Sequence, residues 1–238
     1  MRLGIMQPYF FPYLGYFDLI NRVDQWLAFD IVNYSKKSWM NRNRILHPEK
    51  SWQHVSVPVI KDSSKGRIHQ VKLVNKQLAS ERILSQLGHY KRHAPFYLET
   101  IDLVRRSFAS CETDRLVDLN LTTLNAVCDY LDIAFDYQRC SELDLDLPQI
   151  TEPGQWALEI CDKMKASEYL NPPGGKQIFN QSEFQKRGIQ IKFIDTPELI
   201  YECFNLSYQS NLSILDVLMW NSISSIKTHL NAIKGSYT

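Results

Sequence analysis

The stretch QPYFFPYLGY, Gln7 to Tyr16, constrains the fold of this chain more than any other. Pro8 and Pro12 each lock φ and remove a backbone donor, so the segment can be neither helix interior nor central strand. Its neighbours are readable. RLGIM, Arg2 to Met6, reads as a short buried strand, and LGYFDLINR, Leu14 to Arg22, carries Leu14, Phe17, Leu19 and Ile20 near helical spacing. QWLAFD follows as a second buried strand ending on Asp30. Strand, rigid aromatic loop, helix, strand is the opening of a parallel α/β unit. Open α/β sheets bind ligands beyond the carboxyl ends of their strands, where this loop falls. Tyr9, Phe10, Phe11, Tyr13 and Tyr16 then form either a ligand platform, with Gly15 admitting close backbone approach, or an apolar plug between helix and sheet. The residues leave both readings open.

Beyond Asp30 the pattern changes. NYSKKSWMNRNR, Asn33 to Arg44, gathers Lys36, Lys37, Arg42 and Arg44 with Asn41, Asn43, Tyr34 and Trp39. Guanidinium forks and amides suit phosphate or carboxylate, and flat rings suit a base or sugar face. The bland alternative is a solvated basic loop. HPEKS is a turn signal between RNRIL and WQHVSVPV, which predicts a hairpin with Arg42 and Arg44 on one face and Asn41, Asn43 and Ile45 on the other. IHQVKLV is a further predicted strand, although its alternation is loose. Helical periodicity then runs through SERILSQLGHY, PFYLETIDLVRRSF with Pro95 at its start, and DRLVDLNLTTLNAVCDYLDI. FDYQRCSEL and GIQIKFID read as strands, EPGQWALEICDKMKA as a helix, and SNLSILDVLMWNSISSIKTHL as a capped C-terminal helical section. NPPGGKQIFN supplies Gly174 and Gly175 in a turn that could present amides to an anion, or could be a plain connection. The expectation is one α/β domain over residues 1–238, a Rossmann-like parallel sheet with a helical middle and C-terminal section.

Charge excludes little but narrows the partners. Lys and Arg number 27 against 26 Asp and Glu, so no global field draws the chain to nucleic acid or an anionic membrane. No run of apolar residues is long enough for a membrane span, and the N-terminus lacks a signal-peptide pattern. The five cysteines are scattered and odd in number, as expected of reduced, buried thiols in a cytoplasmic protein. His89 and His93 stand at i, i+4, but the intervening Glu and third ligand of a helical zinc site are missing, so no metal is expected. No nucleophile motif announces itself, and no cofactor is indicated. Asp30, directly after the second strand, and His93 are the candidate proton-transfer groups.

IMQPYFFPYLGYFDLI, IVNYSKKSWMNRNRI after Asp30, HAPFY, YLNPPGGKQIFN and NLSILDVLMWNS together resemble the WbqC-like protein family along nearly the whole chain. That resemblance implies a place among bacterial surface-polysaccharide (O-antigen) proteins. It implies a site lined by Gln7, Pro8, Tyr9, Pro12, Gly15, Tyr16, Asp30, Lys36, Trp39, Asn41, Arg42, Asn43, Arg44, His93, Gly174 and Gly175, with Tyr13 beside them in the loop. A looser similarity links the order strand, Pro-containing loop, Tyr13-Leu14-Gly15-Tyr16, helix to nucleotidyltransferases and pantothenate synthetases that carry H-x-G-H there. Both histidines are tyrosines here, neutral and weaker partners for phosphate charge, so the similarity bears on fold rather than on nucleotidyl transfer. The expected function is modification of a sugar precursor, by acyl or aminoacyl transfer to an amino sugar. The alternative is an accessory protein that binds a nucleotide sugar without chemistry. Expected partners are a nucleotide sugar or activated acyl donor, and a pathway enzyme or carrier protein.

Overall fold

The computed structural model describes residues 1–234; residues 235–238, the end of the expected domain, lie outside the described residues. β1 (Arg2–Met6), α1 (Leu14–Arg22) and β2 (Gln25–Ala28) form the opening unit, with β1 and β2 parallel and in register from Leu3 opposite Gln25 to Met6 opposite Ala28. The hairpin β3 (Arg42–His47) and β4 (Ser51–Ser56) stands apart as a two-stranded antiparallel sheet. Three helices follow: α2 (Lys76–Gln86), α3 (Tyr97–Ser110) and α4 (Leu116–Leu131). The chain then returns to the sheet through β5 (Tyr137–Arg139), α5 (Pro153–Lys163), β6 (Glu168–Asn171), α6 (Gln181–Lys186) and β7 (Gln190–Phe193), and ends in α7 (Ile214–Trp220) and α8 (Ile223–Lys234). No described helix is long and apolar enough to cross a membrane.

The main sheet has the order β5-β2-β1-β6-β7, every pair parallel, a Rossmann-like α/β arrangement. Side chains alternate between two apolar clusters, as parallel strands covered on both faces require. Leu3, Ile5, Leu27 and Tyr169 pack with Leu158, Ile160 and Phe184 of α5 and α6. Trp26 and Ala28 point the other way, into a larger core shared with α1, α3, α4, α7 and the hairpin. At Gly4 that larger core presses close on β1: a Cβ there would sit 3.1 Å from the Trp26 ring. The strand order has a functional consequence. From β1 the chain steps outward to β2 and β5 on one side, then crosses to β6 and β7 on the other, so the topological switch falls between β1 and β6.

Two local readings of the sequence are corrected. IHQVKLV forms no strand: Ile68–Gln70 is a 3₁₀ turn, and only single bridges follow, Lys72 with Arg115 and Leu73 with Val59. Its amides are drawn instead to scattered carbonyls, Ile68 N to Val32 O at 2.9 Å and His69 N to Asp30 O at 3.1 Å. β6 was not anticipated, because EYLN offers only Tyr169 and Leu170 as apolar signal although it is a central strand paired on both sides.

Candidate functional site

A cavity of about 440 Å³ opens at the carboxyl ends of β1, β6 and β7, on the switch point. Tyr9, Tyr13, Gly15 and Leu19 line it from the first loop and α1, and Trp39, Asn43 and Arg44 from the hairpin side. Pro172, Pro173 and Gly174 come from the loop after β6, Ile194, Asp195 and Thr196 from the loop after β7, and Asn211 from the segment before α7. A second cavity of about 400 Å³ shares Tyr13, Gly15, Asp195, Thr196 and Asn211 and carries the cleft around the start of α1. That helix start carries no capping side chain from Tyr13 and no acidic residue in its first turn, so its own sequence supplies no charge to offset its positive end.

The rigid loop is held by its carbonyls. Tyr16 Oη donates to Gln7 O at 2.6 Å, and Asn120 Nδ2 donates to Pro8 O at 2.8 Å. Asn43 Nδ2 donates to Phe10 O at 3.1 Å and Phe11 O at 2.9 Å, Ser213 Oγ adds a bond to Phe11 O at 2.7 Å, and Ile214 N reaches Pro12 O at 2.8 Å. Two prolines leave the loop short of donors, and α1, α4, β3 and the start of α7 surround its carbonyls with groups that supply them. This fixation sustains Phe11 at φ 37°, a conformation that costs a bulky residue roughly 1–3 kcal/mol. The loop thereby divides its rings between the core and the cavity. Phe10, Phe11 and Tyr16 are fully buried pins, with Tyr16 against Trp26 at 5.7 Å, while Tyr9 and Tyr13 face the cavity. Burial raises the Tyr9 and Tyr13 hydroxyls above their ordinary range, so both stay neutral donors.

On the hairpin, Arg42 and Arg44 share a face, with His54 directly opposite Arg44. The Arg44 guanidinium lies 5.5 Å from the Trp39 ring centre and 5.2 Å from that of Trp52, and its Nη2 donates to Asn211 O at 3.3 Å. Cation–π contact with two indoles restrains a side chain that is otherwise long and mobile. Arg42 reaches Lys37 O at 2.6 Å, and Asn41 Nδ2 holds Val57 O at 3.0 Å. The Nε atoms of both arginines are buried and carry no hydrogen bond. Burial, then Arg42 and Arg44, pushes His54 below its ordinary value of 6.5. The unfolded chain therefore takes up this proton first, so His54 removes stability as pH falls through about 6.5. His89 acts in the same sense, lowered by burial and by His47, whereas the buried Asp216 carboxyl is raised and acts in the opposite sense. A His54→Gln variant is expected to lose less stability than wild type between pH 7.5 and 5.5 in urea titrations; equal slopes would contradict this.

The remaining sequence-named residues are placed elsewhere or play backbone parts. Asp30 is fully buried two residues past β2, on the side of β1 away from the switch point. Its carboxylate accepts from Ser141 N at 2.9 Å and Ser141 Oγ at 2.6 Å. His93 is exposed and stacks on Phe204 at 3.9 Å, outside the cavity lining. Lys36 is exposed in the connection before β3. Gly175 turns its amide inward to Pro172 O at 3.2 Å, and a Cβ there would meet Asn171 Nδ2 at 2.4 Å. Tyr9, Tyr13, Gly15, Trp39, Asn43, Arg44 and Gly174 are the named residues that the fold brings together.

Asp195, Thr196 and Asn211 were not singled out from sequence. Asp195 and Thr196 are the second and third residues beyond β7, a signal usable only once β7 is known to lie next to β6. All five cysteines are unpaired and buried, and burial pushes Cys140 up to about 12, so it remains a protonated thiol.

No solved structure matches the chain. The uncharacterized protein Rv1507c of Mycobacterium tuberculosis (strain ATCC 25618 / H37Rv) is 27% identical over 228 residues, 91% of this chain and 92% of that protein. The aromatic loop, Arg44 of the hairpin and the Gly174 loop that build the cavity all fall within residues 7–228, the span matched by the model of the WbqC-like protein family, and the chain belongs to that family.

Proposed function

We propose that the cavity binds a nucleotide sugar and that the protein modifies such a precursor for bacterial surface polysaccharide, by acyl or aminoacyl transfer to an amino sugar. The observation that carries this reading is the pairing, in one cleft, of an indole-clamped arginine with a carboxylate and a hydroxyl. Arg44 enters from β3, and Asp195 and Thr196 enter from the end of β7. The volume of about 440 Å³ is in the range of small-molecule sites, roughly 300–1,000 Å³. Arg44 and the uncapped start of α1 suit a diphosphate, and Trp39, Tyr9 and Tyr13 suit a ring face. Acylation of an amine forms a C–N bond to the donor's acyl carbon as the bond from that carbon to the activating group breaks, the activating group leaving with the electron pair, and the nitrogen must lose a proton. Asp195 is the carboxylate in the cavity lining, and we assign it that base role.

The test is a stabilisation screen with nucleotide sugars, followed by incubation with activated acyl donors and mass analysis of the sugar. Stabilisation that is lost in Arg44→Ala, with a product heavier by one acyl group, supports the proposal. Stabilisation without any mass change reduces the protein to an accessory binder of the same pathway. If no nucleotide sugar stabilises it, the reading of the cavity is wrong.

A further inference from the structure

Beneath the cavity floor runs a chain of buried polar groups. Arg22 Nε donates to Asp18 Oδ1 at 2.7 Å, and Thr196 Oγ1 donates to Asp18 Oδ2 at 2.6 Å. Asp18 is 0% and Arg22 5% exposed, both on the inner side of α1. A buried ion pair is seldom a gain in stability over apolar residues of the same size, so its presence under a cleft asks for another account. The carboxylate, paired with a guanidinium, only accepts hydrogen bonds. It therefore takes the Thr196 proton, and what the hydroxyl has left for the cavity is lone pairs.

We propose that Thr196 is a specificity-determining acceptor, its hydroxyl oriented by Asp18 and Arg22, which admits ligands offering a hydroxyl or ammonium donor at that point. Gly15 keeps the approach open: an ideal Cβ there would lie 3.3 Å from Thr196 Oγ1 and 2.6 Å from the Tyr13 ring. With Asp195 adjacent, this end of the cleft reads donors, while Arg44 reads an anion. The ligand class is then a sugar with a free hydroxyl or amine, carried on a phosphate. This inference rests on the nucleotide-sugar reading of the same cavity and adds which part of the ligand is read at β7.

The measurement is calorimetric affinity for UDP-, dTDP- and GDP-linked glucose and amino sugars, each beside its own nucleoside diphosphate. Thr196→Val, nearly isosteric, is expected to weaken the sugar nucleotides by about ten- to hundredfold, the penalty for a ligand donor left unpaired. The bare diphosphates should bind Thr196→Val as they bind wild type, and Thr196→Ser should restore the sugar preference. Asp18→Asn, whose amide can turn a donor toward Thr196, should show the same selective loss; should it not fold, the two Thr196 variants decide. Sugar nucleotides that bind Thr196→Val undiminished overturn this inference and leave the proposed function standing. Wild type that binds no member of the panel overturns both.

Discussion

Asn43→Ala is expected to cost about 2–4 kcal/mol of folding stability, because three hydrogen bonds go, Phe10 O and Arg44 N lose their partner while Phe11 O keeps Ser213 Oγ, and each unmet group carries roughly 1–3 kcal/mol. The Asn43 side chain is 4% exposed; its Nδ2 serves Phe10 O and Phe11 O, and its Oδ1 accepts from Arg44 N at 2.8 Å. No water reaches the pair of carbonyls readily, since both phenylalanine side chains beside them are fully buried. Asn43→Asp keeps the volume but sets acceptor against acceptor, so it should not rescue. For a domain whose whole stability is about 5–15 kcal/mol, either change brings the chain near the edge of folding. Urea unfolding of both variants at pH 7.5 is the check. A loss under about 1 kcal/mol would mean that the loop finds other donors, and that its rigidity does not depend on β3.

The same contact explains why the loop was only half legible. Proline spacing and aromatic content mark Gln7 to Tyr16 as rigid and as lying at a strand end. They do not say which rings turn inward, because that is decided by Asn43, Asn120 and Ser213, donors 32, 112 and 202 residues distant from the carbonyls they bind. Strand order is a second case. β1, α1, β2, the hairpin and α4 are visible in local periodicity, since each buries a face that its own sequence announces. Whether a strand lies left or right of β1 is a global property. Asp30 has the credentials of a strand-end acid, but β2 lies on the far side of β1 from the switch, and Ser141 occupies both its oxygens. Asp195 and Thr196 have weaker local signals, yet β7 carries them to the cavity by way of β6, a four-residue strand too short and too polar to be read.

Arg44→Ala is expected to reduce affinity for an anionic probe such as UDP by about a hundredfold while changing stability by less than about 1 kcal/mol. A charge-assisted contact in a partly enclosed cleft is worth about 1.5–3 kcal/mol, and tenfold in affinity is about 1.4 kcal/mol. Arg44 is only half-buried and satisfies one carbonyl, Asn211 O, so the fold depends on it little. Arg44→Lys should recover only part of the binding. An ammonium lacks the flat π-surface that a guanidinium offers to Trp39 and Trp52, and it lacks the planar fork that meets two phosphate oxygens at once. Trp52→Ala separates the two contributions, because it leaves the charge in place and removes one wall of its clamp. If the indoles act by orienting the guanidinium, that variant loses affinity at both low and high salt, whereas the screened charge term itself weakens as salt rises. Equal binding by wild type and Arg44→Ala at every salt concentration would place the anion elsewhere in the cleft, with the uncapped start of α1, beside Gly15, as the next site to test.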